Sequence, residues 1–221
     1  PKIRNSEERI GRQVSFVRFL FMAMNPDRFK KKVIAELLPP LNKKGQSPLW
    51  EAIGRRFTNM DYWEADELCQ KNKEFIDSLF PSGKIYTTFF SAEARNAIGK
   101  VNKQTEPVLH MLKKIGFKYV NQVDPFDGGP HLWADISEIA PIQGSVRVRY
   151  QGVLPSGAPE DAVSGLLARV DQPRGQFRAL AIEGVIQPDK TFRATLSERA
   201  EAIGNQLGLS SGSDAVFMPF Y

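Results

Sequence analysis

Two segments of the 221-residue chain repeat one local pattern, and that pattern constrains how helices and strands can follow one another. The first reads Ser47-Pro48-Leu49-Trp50-Glu51-Ala52-Ile53-Gly54-Arg55-Arg56-Phe57. The second reads Thr105-Glu106-Pro107-Val108-Leu109-His110-Met111-Leu112-Lys113-Lys114-Ile115-Gly116-Phe117. In each, a hydroxyl residue able to accept a free N–H and an early proline open a short amphipathic helix. Glycine then ends it, because a backbone without Cβ leaves the helix at low cost, and phenylalanine starts the next element. Both segments are expected to join a helix to a strand.

The rest of the chain falls into place around them. A first helix is expected from Glu7 to Met24, stopped by Asn25-Pro26, since a residue before proline is pushed out of helical geometry. Its Val14–Met24 stretch is too apolar to stand in water, so it calls for a cover, expected from another chain. Lys32–Leu38 reads as an apolar strand buried on both faces with one acid, Glu36, closed by Pro39-Pro40. Asp61–Phe80 reads as one or two helices with Trp63, Leu68, Phe75, Ile76 and Leu79 inward, Lys84–Phe90 as a short strand, and Ser91 as the cap of a helix that Gly99 closes. Strands near 117–124 and 131–136 flank the turn Pro125-Phe126-Asp127-Gly128-Gly129-Pro130. After Pro141 the texture changes to β alternation over 146–153, 162–171 and 176–187, then one helix over 197–207 and a last strand. The fold class is therefore α+β, with one region at 1–142 and a smaller β-rich appendage or domain at 143–221.

Composition limits the function classes. The balance of 30 Lys+Arg against 25 Asp+Glu gives +5, which favours anionic ligands, but the basic residues are spread out and lack aromatic interleaving, so nucleic acid is not expected. A lone cysteine, Cys69, excludes an internal disulfide and points to a reducing compartment, the cytoplasm first and the mitochondrion as alternative. No apolar run approaches the ~18 residues of a membrane span. One cysteine and two separated histidines offer no metal-ligand spacing, and no tightly bound cofactor is expected.

Arg18-Phe19-Leu20-Phe21-Met22-Ala23, Val33-Ile34-Ala35-Glu36, Ser47-Pro48-Leu49-Trp50, Ile85-Tyr86, Ile98-Gly99-Lys100-Val101 and above all Phe126-Asp127-Gly128-Gly129-Pro130 resemble the arginine N-succinyltransferases. The resemblance implies a GNAT-like acyl-CoA N-acyltransferase fold, a mixed sheet with flanking helices, of which this chain carries the C-terminal part. It implies succinyl-CoA or another acyl-CoA as cosubstrate, arginine as the amine, and a second chain supplying the missing N-terminal half. By the same resemblance, Arg9, Gly11 and Arg12 stand where the cofactor's pyrophosphate would be held, with Arg9 replacing a glycine of the phosphate turn. Asn102-Lys103 replaces a His-Pro of the bacterial enzymes. These two departures carry the alternative reading, a non-catalytic relative that keeps the fold for assembly.

The chemistry of amine acylation selects the remaining candidates. An attacking amine must lose a proton, and Glu36 on an apolar strand is the candidate base, unless it simply pairs with a nearby cation. Tyr86 is the candidate proton donor to the leaving thiolate, or a core ring with its hydroxyl at the surface. Acids that could hold a guanidinium are Asp124 and Asp127, with Asp61 and Asp66 behind them; His131 follows the turn and could line the same pocket. Against this, Asp127-Gly128 is also ordinary turn chemistry.

Overall fold

The computed structural model describes residues 10–72, 74–155, 159–173, 175–195 and 198–221. In chain order the elements are α1 (Ile10–Met24), β1 (Lys32–Glu36), α2 (a π turn Trp50–Gly54 continuing into Arg55–Thr58), α3 (Tyr62–Lys71), α4 (Glu74–Leu79), α5 (Ala92–Ala97) and α6 (Glu106–Lys114). Then follow β2 (Lys118–Val123), β3 (Pro130–Asp135), α7 (Ala140–Gln143), β4 (Val146–Val153), β5 (Val163–Arg169), β6 (Leu180–Ile186), β7 (Thr191–Ala194), α8 (Glu198–Leu207) and β8 (Asp214–Pro219). Helix and sheet are mixed, as expected. Among the described residues no helix is long and apolar enough to cross a membrane.

The elements form two compact units, Lys32–Asp135 and Ile136–Tyr221 together with the residues before Lys32. A division at 142/143 leaves α1 with the strand-helix segment; its contacts are instead with α7, β5 and β8. Phe16, Phe19 and Leu20 are buried there, and Phe16 meets the Phe220 ring edge-on at 5.7 Å. The cover that α1 requires is thus supplied by its own chain. In this unit β4-β7-β6-β5-β8 close into a barrel, with β4 and β7 parallel and the other pairs antiparallel. Tyr150, Leu167, Phe192 and Phe217 fill it, the last two rings stacked at 4.9 Å. β7 has only four residues and escapes a reading by alternation.

In the Lys32–Asp135 unit the sheet order is β1-β3-β2, both pairs antiparallel. β1 alternates in exposure instead of being buried on both faces: Val33 and Ala35 lie opposite Ala134 and Leu132 on the covered side, while Ile34 and Glu36 lie on the open one. A strand at the edge of its sheet, paired on one side only among the described residues, is not enclosed as a central strand is. Lys84–Phe90 is not a strand either; Thr87–Phe89 forms a single tight turn and Phe89 points outward.

The two repeated segments diverge. The second behaves as expected, with Gly116 at φ +114° between α6 and β2. Thr105 stands at its N-cap but makes no capping bond with its side chain; its N–H and Oγ1 donate instead to Asn102 Oδ1, at 2.9 Å and 2.7 Å. In the first, Ser47 Oγ does accept from the Trp50 N–H at 3.2 Å, but the helix runs through Gly54 and ends at Asn59, with no strand after it. Gly54 is helical, and a Cβ there would lie 2.1 Å from the Trp50 ring. That glycine makes room for an indole rather than for a turn.

Candidate active site

The buried indole of Trp50 anchors an aromatic cluster: its ring lies 4.6 Å from that of Phe126, and Tyr62 meets Phe126 at 5.5 Å. On this floor rests a pocket of about 260 Å³ lined by Glu36, Leu37, Leu38, Tyr62, Asp66, Cys69, Ile76, Asp124, Phe126 and Asp127. Among the described residues, four of the ten that line it are acids and none is basic, which favours a cation.

The loop between β2 and β3 holds two of those acids in place. The Asp124 N–H donates to the Gly129 carbonyl and the Gly128 N–H to the Asp124 carbonyl, both at 2.8 Å. Asp124 Oδ1 accepts the Phe126 N–H at 2.8 Å, and Asp127 Oδ1 the Gly129 N–H at 2.7 Å. Ser47 Oγ donates to the Asp127 carbonyl at 2.8 Å, and the Gly99 N–H to the Gly128 carbonyl at 2.9 Å. A Cβ on Gly129 would lie 2.1 Å from the Leu37 carbonyl oxygen, so the loop and β1 approach as closely as they do only because residue 129 is glycine.

Crowding of acids in a buried place has its electrostatic consequence. Burial pushes the Asp127 carboxyl up to about 6 against the Gly129 hydrogen bond, with Asp124, Glu36 and Asp66 adding to the rise. Tyr62 is pushed well above its ordinary value by burial and then by Asp127, so it remains a neutral hydroxyl. Tyr62, Asp66 and Cys69 all come from α3 at spacings of four and three residues, one helix face. Tyr62 was not legible as a site residue from type alone, but that i, i+4, i+7 stripe behind the Asp61 cap is the signal that would have found it. Asp61 itself caps α3, accepting the Glu64 N–H at 2.8 Å.

The sequence candidates therefore separate. Glu36, Asp124, Asp127 and Asp66 converge. His131 is the register partner of Glu36, its Nε2 3.8 Å from Glu36 Oε1. One donor atom each from Glu36, Asp124 and His131 lies within 4.8 Å of the others, a metal-capable grouping that sequence spacing did not reveal. The burial that motivated Glu36 as a base is missing, since its side chain is 55% exposed. Tyr86 is 69% exposed and does not line the pocket, so it is not the core ring that one reading of it expects. Of the phosphate-turn residues, Arg9 lies outside the described residues, and Gly11 sits in the first turn of α1. Arg12 donates through Nη2 to the Tyr221 carbonyl and lies over the Phe220 ring at 4.8 Å, so its guanidinium serves packing within its own unit.

Comparison with known proteins puts this geometry in a family. The arginine N-succinyltransferase of Enterobacter sp. (strain 638) is 42% identical over 173 residues, 78% of this chain and 49% of its own length. That of Escherichia coli O1:K1 / APEC is 44% identical over 146 residues, 66% of this chain and 42% of its own length. The chain thus spans about half the length of the curated relatives it matches. A solved structure, subunit AI of the arginine/ornithine succinyltransferase of Pseudomonas aeruginosa, superposes with a TM-score of 0.73 at 29% identity, over 93% of this chain and 56% of that one. The family described as arginine N-succinyltransferase beta subunit matches residues 1–141, which contain every acid of the pocket, and the chain belongs to the arginine N-succinyltransferase family.

Proposed function

We propose that this chain is the part of an arginine N-succinyltransferase that receives the amine substrate, and that the Glu36–Asp66–Asp124–Asp127 pocket is where it does so. The observation that carries this reading is a small pocket that has four carboxylates and no basic residue among the described residues, within the segment that matches the family. Asp124 and Asp66 pair with the guanidinium, which favours planar bidentate contact with carboxylate. Glu36, at the half-open rim, takes a proton from the α-ammonium, after which the neutral amine attacks the succinyl-CoA thioester. The C–N bond forms, the C–S bond breaks, and the second proton that the nitrogen sheds is taken up by the departing CoA thiolate. Reaction is direct, with no acyl-enzyme intermediate.

Completion of the acyl-CoA cleft is assigned to the half of the family's length that this chain does not match, on a GNAT-like sheet continued from an open edge. What supports this is that β1 and β2 each pair on one side only among the described residues, leaving ladder groups free. The cytoplasm fits a chain whose one cysteine permits no internal disulfide. The comparisons lend nothing to the non-catalytic alternative. The test is thiol release from succinyl-CoA with L-arginine by the complete assembly. Glu36→Gln lowers kcat by about 10²-fold or more, the ordinary weight of a general base, with little change in folding. Undiminished turnover removes Glu36 from the mechanism; no turnover with any amine removes the reading.

A further inference from the structure

We propose that Glu36, Asp124 and His131 form a binding site for a divalent transition-metal ion, held by one imidazole nitrogen and two carboxylate oxygens. Its three ligands stand on fixed positions: Glu36 ends β1, His131 faces it in register on β3, and Asp124 directly follows β2. Their donor atoms already lie within 4.8 Å of one another. Bonds of ~2.0–2.2 Å to nitrogen and oxygen place neighbouring donors roughly 3.0–3.5 Å apart, so the shell closes with shifts on the order of 1 Å. Glu36, on a half-exposed side chain, can supply most of that movement.

A second observation does not depend on the acids. His131 Nε2 is shut off from solvent and has no hydrogen-bond partner among the described residues, although its side chain is otherwise 15% exposed. Leaving a buried nitrogen unpaired is costly, so a native structure that keeps one beside two carboxylates calls for a ligand there. One nitrogen and two oxygens suit Zn²⁺, Co²⁺ or Mn²⁺, with affinity rising from Mn²⁺ to Zn²⁺ and water filling the open positions on the Glu36 side. Asp127, buried nearby, adds negative potential without being a ligand.

Glu36 and Asp124 are also the acids assigned to arginine, so the ion and the amine compete for them; the experiment uses the untagged whole chain without substrates, and its result stands apart from the amine-acylation reading. Zn²⁺ is titrated by calorimetry and Co²⁺ by visible absorption. One ion per chain is expected, weakened at least tenfold by His131→Ala and by Glu36→Gln. Glu36→Gln alters an exposed side chain and leaves the fold intact by circular dichroism. His110→Ala, changing the other histidine of the chain on α6, leaves the affinity unchanged. No binding below about 1 mM, or equal affinity in wild type, His131→Ala and Glu36→Gln, overturns the site, as does a loss that follows His110 instead.

Discussion

Replacing Asp127 by asparagine isolates what it costs the fold to hold an acid in the pocket. The amide oxygen can still accept the Gly129 N–H while the charge is removed. In the folded chain the carboxyl titrates at about 6 instead of its ordinary 3.8, so the folded state keeps the proton to higher pH than the unfolded state does. Stability contributed by that proton is complete below about pH 4 and is lost as pH rises through about 6. The difference of roughly two pH units corresponds to about 3 kcal/mol for a group that is almost wholly buried. Asp127→Asn should therefore be close to wild type at pH 4 and more stable by up to ~3 kcal/mol at pH 8. The readout is urea unfolding followed by tryptophan fluorescence, because Trp50, Trp63 and Trp133 all belong to the Lys32–Asp135 unit. Subtracting variant from wild type at each pH cancels the titrating groups that do not sense the Asp127 charge. A difference that stays constant from pH 4 to 8 would refute the reasoning, since Asp127 would then not change charge in that window.

Gly129→Ala should destabilise the same unit by more than about 3 kcal/mol, because the new methyl meets the Leu37 carbonyl and neither strand can yield without breaking the β1–β3 ladder; an unchanged urea midpoint would contradict this. Phe16→Ala should cost about 3–5 kcal/mol in the other unit, measured by thermal circular dichroism, since its ring is fully buried against Phe19 and Phe220. Tyr86→Phe should leave stability within about 0.5 kcal/mol and leave arginine affinity untouched, as the ring stands in solvent and does not line the pocket; a tenfold change in either would return Tyr86 to the site.

What could be read from residue order, and what could not, divides along physical lines. Helix ends governed by local chemistry were legible: Asn25-Pro26 stops α1, Ser91 Oγ accepts the Ala94 N–H at 3.1 Å, and Gly99 turns at φ +68°. So were the strands either side of the Asp127 turn. Features set by distant neighbours were misread. Gly54 looks like a helix stop, but the indole of its own helix decides its identity. Lys32–Leu38 looks enclosed because its composition is apolar, yet composition carries no information on whether a strand stands at an edge. The apolar face of α1 correctly demanded cover, while the barrel that provides it lies more than a hundred residues further on. Convergence of Glu36, Asp66 and Asp124 could be suspected only residue by residue, because it requires β1, α3 and the β2–β3 loop to meet.

The same loop serves the fold and the pocket, and the two roles pull in opposite directions at Asp127. Its carbonyl accepts from Ser47 Oγ, which ties the start of α2 to the loop, and its carboxylate accepts the Gly129 N–H, which closes the turn. Its ionised form, however, opposes burial and three other acids. A cation entering the pocket lowers that opposition and recovers part of the ~3 kcal/mol lost on ionisation. Asp127→Asn should therefore stabilise the empty chain and weaken its hold on L-arginine or methylguanidinium. For wild type, affinity for these cations should fall by up to about tenfold per pH unit below 6, as Asp127 takes up its proton, while the asparagine variant shows a shallower slope. A turn residue with no part in cation binding would give the stabilisation alone. Calorimetric titration of methylguanidinium into both proteins at pH 5 and pH 8 separates the cases: parallel pH slopes would confine Asp127 to shaping the loop.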